Sequence, residues 1–428
     1  MPALNRDPLR MLPAWARIHG DVVRIAENFY VFNHPDGIEA VARATGGALA
    51  KVGRAGWQAR ALLLFPGGIL ASEGEVWRRG RKVAQPALHR DAVQRHADIM
   101  VRRAAALADR WTPGQGVAVH GEMQRLTVGI TGEALFGVDL APDELAGIGR
   151  ALEELMVLAA RPFRIPRWVP TRRNLRLALA MARVDRLLAR IAAAAGRGGT
   201  GGGAGELARR IAAGAGGDRR AIRDQIGSLL FASHETTASA LSWTWRLLAD
   251  HPDVERKLAA ELADVIGPRA PALADVPRLT YLDAVLKESL RLYPPIWIGT
   301  RFCVERCTLG GYDVPRGTLV SFSHYVVQRD PRWFDRPDEF VPERWQDGLA
   351  DRLPRYAYMP FGGGPRYCLG QAFAQLEMAL IVATIAQRRR LSAIGPMQPP
   401  TPSITLRPAD GMPMLVDARM TPAKMGCK

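Results

Sequence analysis

The segment Phe361-Gly-Gly-Gly-Pro-Arg-Tyr-Cys-Leu-Gly370 carries the densest chemistry in the chain. Three consecutive glycines and a proline let the backbone turn tightly and approach a flat ligand closely. Cys368 follows Arg366 by two residues and precedes a run with helical spacing, which is an electropositive position. The thiolate, the form that binds metals and attacks electrophiles, is favoured there. One cysteine without a neighbouring Cys-x-x-Cys does not make tetrahedral zinc. A single axial thiolate to haem iron fits better, with Arg366 free to pair a propionate. The other readings are a Gly-rich turn holding a buried free thiol and a phosphate cradle. No strand-like run or Gly-Lys-Ser/Thr supports the latter.

Three further constellations have usable spacing. Phe231-Ala-Ser-His-Glu-Thr-Thr237 puts a carboxylate beside a hydroxyl on an apolar helix. The Thr236 hydroxyl can bond the carbonyl four residues back and distort the helix locally, and Glu235 with Thr236 can handle protons. Glu288 and Arg291 lie three apart and can pair on one helical face. Trp77 and Arg81 are one helical turn apart, so an indole N–H and a guanidinium can reach the same anion.

Together these segments resemble the cytochrome P450 monooxygenases. Phe361, Gly364, Arg366, Cys368 and Gly370 match every fixed position of that family's haem-binding loop, Phe-x-x-Gly-x-Arg-x-Cys-x-Gly. Ala232, His234, Glu235 and Thr236 fit its oxygen-activating motif, with His234 at the variable position; Ser233 departs from it, because the family usually has Gly there. Lys287-Glu-Ser-Leu-Arg291 is similar to its Glu-x-x-Arg, and Trp77-Arg-Arg-Gly-Arg81 to its Trp-x-x-x-Arg. The resemblance runs from about Asp21 to Asp417. It implies Cys368 as the metal ligand and Trp77, Arg81, Arg301, Arg366, Phe361 and Gly370 as cofactor-binding residues. Glu235 and Thr236 become the catalytic proton-delivery pair, and His234 faces away from the iron. Glu288, Arg291 and Arg344 become a structural triad behind the haem. Phe65, Phe231, Ala232, Ile296, Trp297 and Ile298 would line the substrate pocket.

The elements that must position these groups read as mostly helical. Ala/Leu/Arg/Glu-rich segments with three- to four-residue apolar spacing include Ala92–Trp111, Glu144–Ala160 and Asn174–Ala195. Asp218–Asp250 contains no Pro and predicts one helix about 50 Å long, apolar all round at Ile226–Ala232 and so crossing the core. Further helices are expected at Tyr281–Tyr293 and at about Leu369–Arg388. Strand-like pieces occur at Asp21–Ala26, Asn28–Phe32 and Thr318–Phe322. The expected fold class is mainly α with small β-sheets (α+β), a single P450 domain over residues 1–428 with a long central helix over haem. Gly196–Gly205 reads as a flexible surface loop, and no fused reductase is expected.

The chain of 428 residues is 48% apolar, which excludes a disordered protein. Its +16 charge comes mainly from 52 Arg among 58 basic residues, a bias that codon composition explains as well as a partner does. The N-terminus lacks a signal-peptide core and no run reaches membrane-spanning length. Four cysteines form no disulfide framework, and Cys303 and Cys307 read as structural. A cytoplasmic monomer without a membrane anchor is expected. By resemblance the cofactor is haem b, with O2 as co-substrate. One oxygen atom enters a lipophilic small molecule, terpenoid or fatty-acid-like. Electrons come from a ferredoxin or flavodoxin with its NAD(P)H reductase, and Arg78 and Lys82 form the basic docking surface. The competing readings are a peroxide-using or non-redox haem-thiolate enzyme, and a basic nucleic-acid-binding protein. The Glu235–Thr236 pair disfavours the former, and the absence of nucleic acid is expected against the latter.

Overall fold

The computed structural model describes residues 7–418, apart from 52–63, 142–143, 145–146, 149, 152–153, 155–168 and 198–202. Five helices position the chemistry: α1 (Gly74–Ala84), α2 (Val119–Phe136), α3 (Arg219–Asp250), α4 (Thr280–Leu292) and α5 (Gln371–Arg388). α3 is the expected long helix. The Asp218 carboxylate caps it by accepting from the Arg220 and Ala221 N–H groups, and it stops at His251, before Pro252. Its buried stretch contains hydroxyl residues as well as Leu and Trp. Their protons are satisfied within the helix, as in Ser242 Oγ to Ala238 O at 2.6 Å and Thr244 Oγ1 to Ala240 O at 2.9 Å. A helix can therefore cross the core without being wholly apolar. α2 and α4 pack along α3, and α5 is buried over most of its length.

The main sheet has five strands in the order β1-β2-β5-β4-β3. These are β1 (Val22–Ala26), β2 (Phe29–Phe32), β3 (Leu49–Ala50), β4 (Gly299–Cys303) and β5 (Leu319–Phe322). β2 and β5 pair in parallel with Phe29 opposite Leu319, and β4 runs antiparallel to β5 and β3. This long-range pairing brings Arg301 on β4 beside the end of β3 and Lys51. A hairpin of β6 (Thr401–Pro402) and β7 (Leu406–Arg407) returns to α3, where Trp243 Nε1 donates to Leu406 O at 2.9 Å.

One helical expectation needs adjustment. Ala92–Trp111 is two helices, Arg90–Gln94 and Ala97–Arg110, because His96 takes φ −98° and ψ 3°, off the helical path. The expected helix Glu144–Ala160 lies largely outside the described residues, as do 198–202 of the Gly-rich loop. Among the described residues no helix is long and apolar enough to cross a membrane.

Candidate active site

The loop before α5 is shaped by its glycines. Gly364 has φ +66°, and a Cβ there would lie 2.7 Å from Ala42 O; a Cβ on Gly363 would lie 2.1 Å from the Tyr356 ring. The loop thus seats against the helix Pro35–Ala44 and Tyr356. The Cys368 N–H donates to Phe361 O at 2.9 Å, closing the loop and turning the cysteine toward a cavity of about 1350 Å³. Burial pushes the Cys368 thiol above its ordinary value, while the Gly370 N–H, Lys51 and Arg81 pull it down. The sequence position alone favours the thiolate; desolvation outweighs that in the folded chain. Arg366 is ion-paired with Glu73.

The same cavity gathers the expected anion-binding groups. Trp77, Arg81, Arg301, Arg366, Phe361 and Gly370 all line it with Cys368. α1 places Trp77 and Arg81 toward the cysteine loop, where Arg81 Nη1 donates to Tyr367 O at 3.1 Å and stacks on the Tyr367 ring at 4.3 Å. The Arg366 guanidinium lies 4.2 Å over the Trp77 ring. Arg301, buried on β4, donates to Thr45 Oγ1 at 2.9 Å, and burial lowers its pKa to about 10. Lys51 joins this cluster. Burial, then Arg301 and Arg366, lower its pKa to about 7. No sequence motif marks Lys51, which is in an isolated position between Ala50 and Val52.

Opposite these cations, α3 contributes Phe231, Ala232, Ser233, Glu235 and Thr236 to the wall. Thr236 Oγ1 bonds Ala232 O at 2.8 Å, as its position predicts, while α3 remains α-helical. Ser233 Oγ bonds Leu230 O at 3.2 Å, so its hydroxyl proton is occupied within the helix. His234 is buried, does not line the cavity, and is brought to a pKa of about 4 chiefly by burial. Glu235 is held tightly: Gln124 Nε2 donates to Oε2 at 2.8 Å, and Arg407 Nε lies 2.9 Å from Oε1. Burial alone would raise its pKa, but His120 and Arg407 overcome this and bring it to about 2. As found, Glu235 is a fixed carboxylate rather than a loaded acid. His120 and Arg407 also line the cavity and belong to no motif quoted above.

Ile296, Trp297 and Ile298 line the cavity, with Trp297 Nε1 anchored to Ser403 O at 2.9 Å. Phe65 does not lie on the described wall. Its ring packs on α3 at Gly227, where a Cβ would lie 2.3 Å away, so the close helix contact makes it core. The resemblance also puts the segment Gly56–Leu70 on the lining, and its residues 56–63 lie outside the described residues. The Glu288–Arg291 pair is fully buried, and Arg344 Nε joins Glu288 Oε1 at 3.0 Å. Arg78 and Lys82 are exposed beside Trp77 and Arg81, with Arg78 paired to Glu75 at 3.0 Å. Cys303 is buried with its Sγ 3.9 Å from that of Cys307.

The residues fit a flat, anionic, metal-centred cofactor. Arg81 Nη2 and Arg366 Nε are buried without hydrogen-bond partners, and such donors require an acceptor. Gly370 has an ordinary φ of −89°, and a Cβ there would meet nothing within 4 Å. Neither backbone conformation nor packing within the chain therefore requires glycine at 370. The cavity also exceeds the roughly 300–1000 Å³ of a site for one small ligand. One cavity thus brings together a loop cysteine, a set of anion-binding donors and the middle of the long helix α3.

The sequence profile of the family described as Cytochrome P450 matches residues 209–412. The chain is 36% identical to cyclooctatin synthase of Streptomyces melanosporofaciens over 96% of its own length and 89% of the relative's. It is 32% identical to cyclooctat-9-en-7-ol 5-monooxygenase of the same organism, over 92% and 87%. The chain belongs to the cytochrome P450 family, whose haem-thiolate monooxygenases consume O2 and take a substrate and a redox partner.

Proposed function

We propose that this enzyme inserts one oxygen atom from O2 into a terpenoid, using haem b and electrons from a separate acidic ferredoxin or flavodoxin. The observation that carries the reading is the single cavity that joins Cys368, five cationic or N–H donors and the Glu235–Thr236 pair. When bound, haem supplies the redox chemistry, with electron density from the Cys368 thiolate favouring O–O cleavage. The chain's residues do the rest. Trp77, Arg81, Arg301, Arg366 and Lys51 would hold the propionates, and the cations among them would offset charge that is otherwise costly to bury. Phe231, Ala232, Ile296, Trp297 and Ile298 form an apolar wall that orients a hydrocarbon and excludes water. Glu235 and Thr236 move protons on the α3 side.

The apolar wall suits a lipophilic substrate, and the names of the two Streptomyces relatives support a terpenoid over a fatty acid. The exposed Arg78 and Lys82, on the helix whose Arg81 contacts Tyr367 of the cysteine loop, support an acidic electron donor. The testing experiment has two parts. The reduced carbon-monoxide complex should show the strongly red-shifted Soret band of thiolate ligation, and Cys368→Ala should lose it. A spin-state titration should then respond to polycyclic terpene alcohols at lower concentration than to fatty acids. A stronger response to fatty acids would overturn the terpenoid assignment.

A further inference from the structure

His120, on α2, is 4% exposed and lines the cavity beside Glu235. Its Nδ1 lies 3.1 Å from Ser242 Oγ, and that hydroxyl donates its one proton to Ala238 O at 2.6 Å. Ser242 can therefore only accept from the ring, so Nδ1 carries a hydrogen. The other nitrogen, Nε2, has no hydrogen-bond partner and lies 3.6 Å from Glu235 Oε1. A bare Nε2 would turn its lone pair on a buried carboxylate. A proton there replaces that repulsion with a charge-assisted contact.

The charges facing the ring are few. Glu235 comes from α3, and Arg407 from β7 lies on the far side of the same carboxylate oxygen at 2.9 Å. The neighbouring His234 is kept neutral by burial. Gln124 on α2 and Thr405 near β7 complete the shell with uncharged groups, Thr405 Oγ1 lying 3.3 Å from Oε1.

We infer that His120 carries protons on both ring nitrogens and is the positioning residue that supplies Glu235 with a proton for the oxygen-side pair. This rests on the oxygenase reading above. His120 and then Arg407 hold Glu235 as a carboxylate, which has no proton of its own to give. Transfer from His120 breaks one Nε2–H bond and forms one Oε1–H bond. The imidazolium and carboxylate become imidazole and carboxylic acid, and the buried site changes no net charge. A neutral acid then stands next to Thr236 without any ion being brought in from water.

The test is nitrogen NMR of 15N-histidine-labelled holoenzyme as its diamagnetic reduced carbon-monoxide complex. The measurement is made at pH 8, above the ordinary histidine range of about 6.5. His120 is assigned by the signals lost in His120→Gln or His120→Asn. The inference expects two protonated ring nitrogens, and one unprotonated nitrogen after Glu235→Gln. A wild-type spectrum with one bare nitrogen overturns it. So does a doubly protonated ring that survives Glu235→Gln. In turnover, His120→Gln should lower product formed per electron pair several-fold; unchanged coupling overturns the relay. The carbon-monoxide spectrum of the same sample reports thiolate ligation separately, so failure of the oxygenase reading is distinguishable from failure of this one.

Discussion

Replacing Arg291 by lysine preserves charge and length approximately, yet it should be among the most damaging single changes away from the cavity. Every N–H of Arg291 is used. Nε and Nη2 donate to the two oxygens of Glu288 at 2.9 and 2.8 Å. Nη1 donates to Gln328 O at 2.9 Å and Pro337 O at 2.6 Å, and Nη2 donates also to Glu339 O at 2.9 Å. The side chain is fully buried, so water cannot replace a lost partner. An ammonium has three donors against the guanidinium's five, and they do not form a planar fork. Glu288 keeps Arg344, Trp345 and the Val341 N–H as donors, but at least two of the five hydrogen bonds of this buried ion are lost, at about 1–3 kcal/mol each, or roughly 2–6 kcal/mol together.

A domain's whole stability is about 5–15 kcal/mol, so this is a large share. With an unfolding entropy of about 2.1 cal/mol/K per residue, it corresponds to a Tm lower by roughly 2–7 °C for a chain of this size. Urea unfolding of the holoenzyme, followed by far-UV circular dichroism and by the Soret band, measures it. Salt should not alter the loss, because a buried pair is poorly screened. The control is Lys287→Met, which breaks the partly exposed pair with Asp283 at 2.6 Å and should cost under about 1 kcal/mol. If Arg291→Lys costs no more than that control, the five-donor reasoning is refuted.

Two buried glutamates predict opposite pH behaviour. The Glu235 carboxyl is depressed from 4.5 to about 2, so its stabilisation is present above 4.5 and lost as pH falls toward 2. Glu235→Gln should therefore be less stable than wild type at pH 7, with the gap closing on acidification; a pH-independent gap would contradict this. Glu377 is raised well above 4.5, first by burial and against the Thr237 hydroxyl. Its folded form keeps a proton the unfolded chain gives up, so wild type loses stability above pH 4.5 while Glu377→Gln does not. At pH 7 that variant should be as stable or more stable, and a marked destabilisation would count against a neutral Glu377. Neutralising Lys82 and Arg78 together should slow reduction by an acidic ferredoxin and flatten its salt dependence, measured by stopped flow. Unchanged rates and salt slopes would remove that surface from the docking site.

What the sequence reveals of this enzyme is what its chain holds within a few residues. The cysteine loop, Glu288 with Arg291, Trp77 with Arg81, and Glu235 with Thr236 are each built inside one loop or one helical turn. Their spacing therefore survives folding. The long helix was legible because it has no Pro and has a good cap, conditions that depend on neighbours alone. Phe65 shows the limit. An aromatic near a pocket-forming segment can face the cavity or the helix behind it, and the close approach at Gly227 decides which. Nothing in residues 56–70 states that α3 will present a glycine there.

The same limit hides the groups that set the charge of the site. Lys51 reaches Arg301 because β3 pairs with β4, with Leu49 opposite Cys303, across some 250 residues of chain. Glu235 on α3 becomes a fixed carboxylate only when β7 brings Arg407 and α2 brings His120 to it. Each of these residues is unremarkable in its own segment, an arginine among 52 or a histidine among eight. Local pattern thus names the groups that do the chemistry, whereas tertiary pairing decides their protonation. A family motif can be complete and still leave open whether its acid holds a proton. In this chain that question falls to His120, whose protons are counted from a serine hydroxyl 122 residues away.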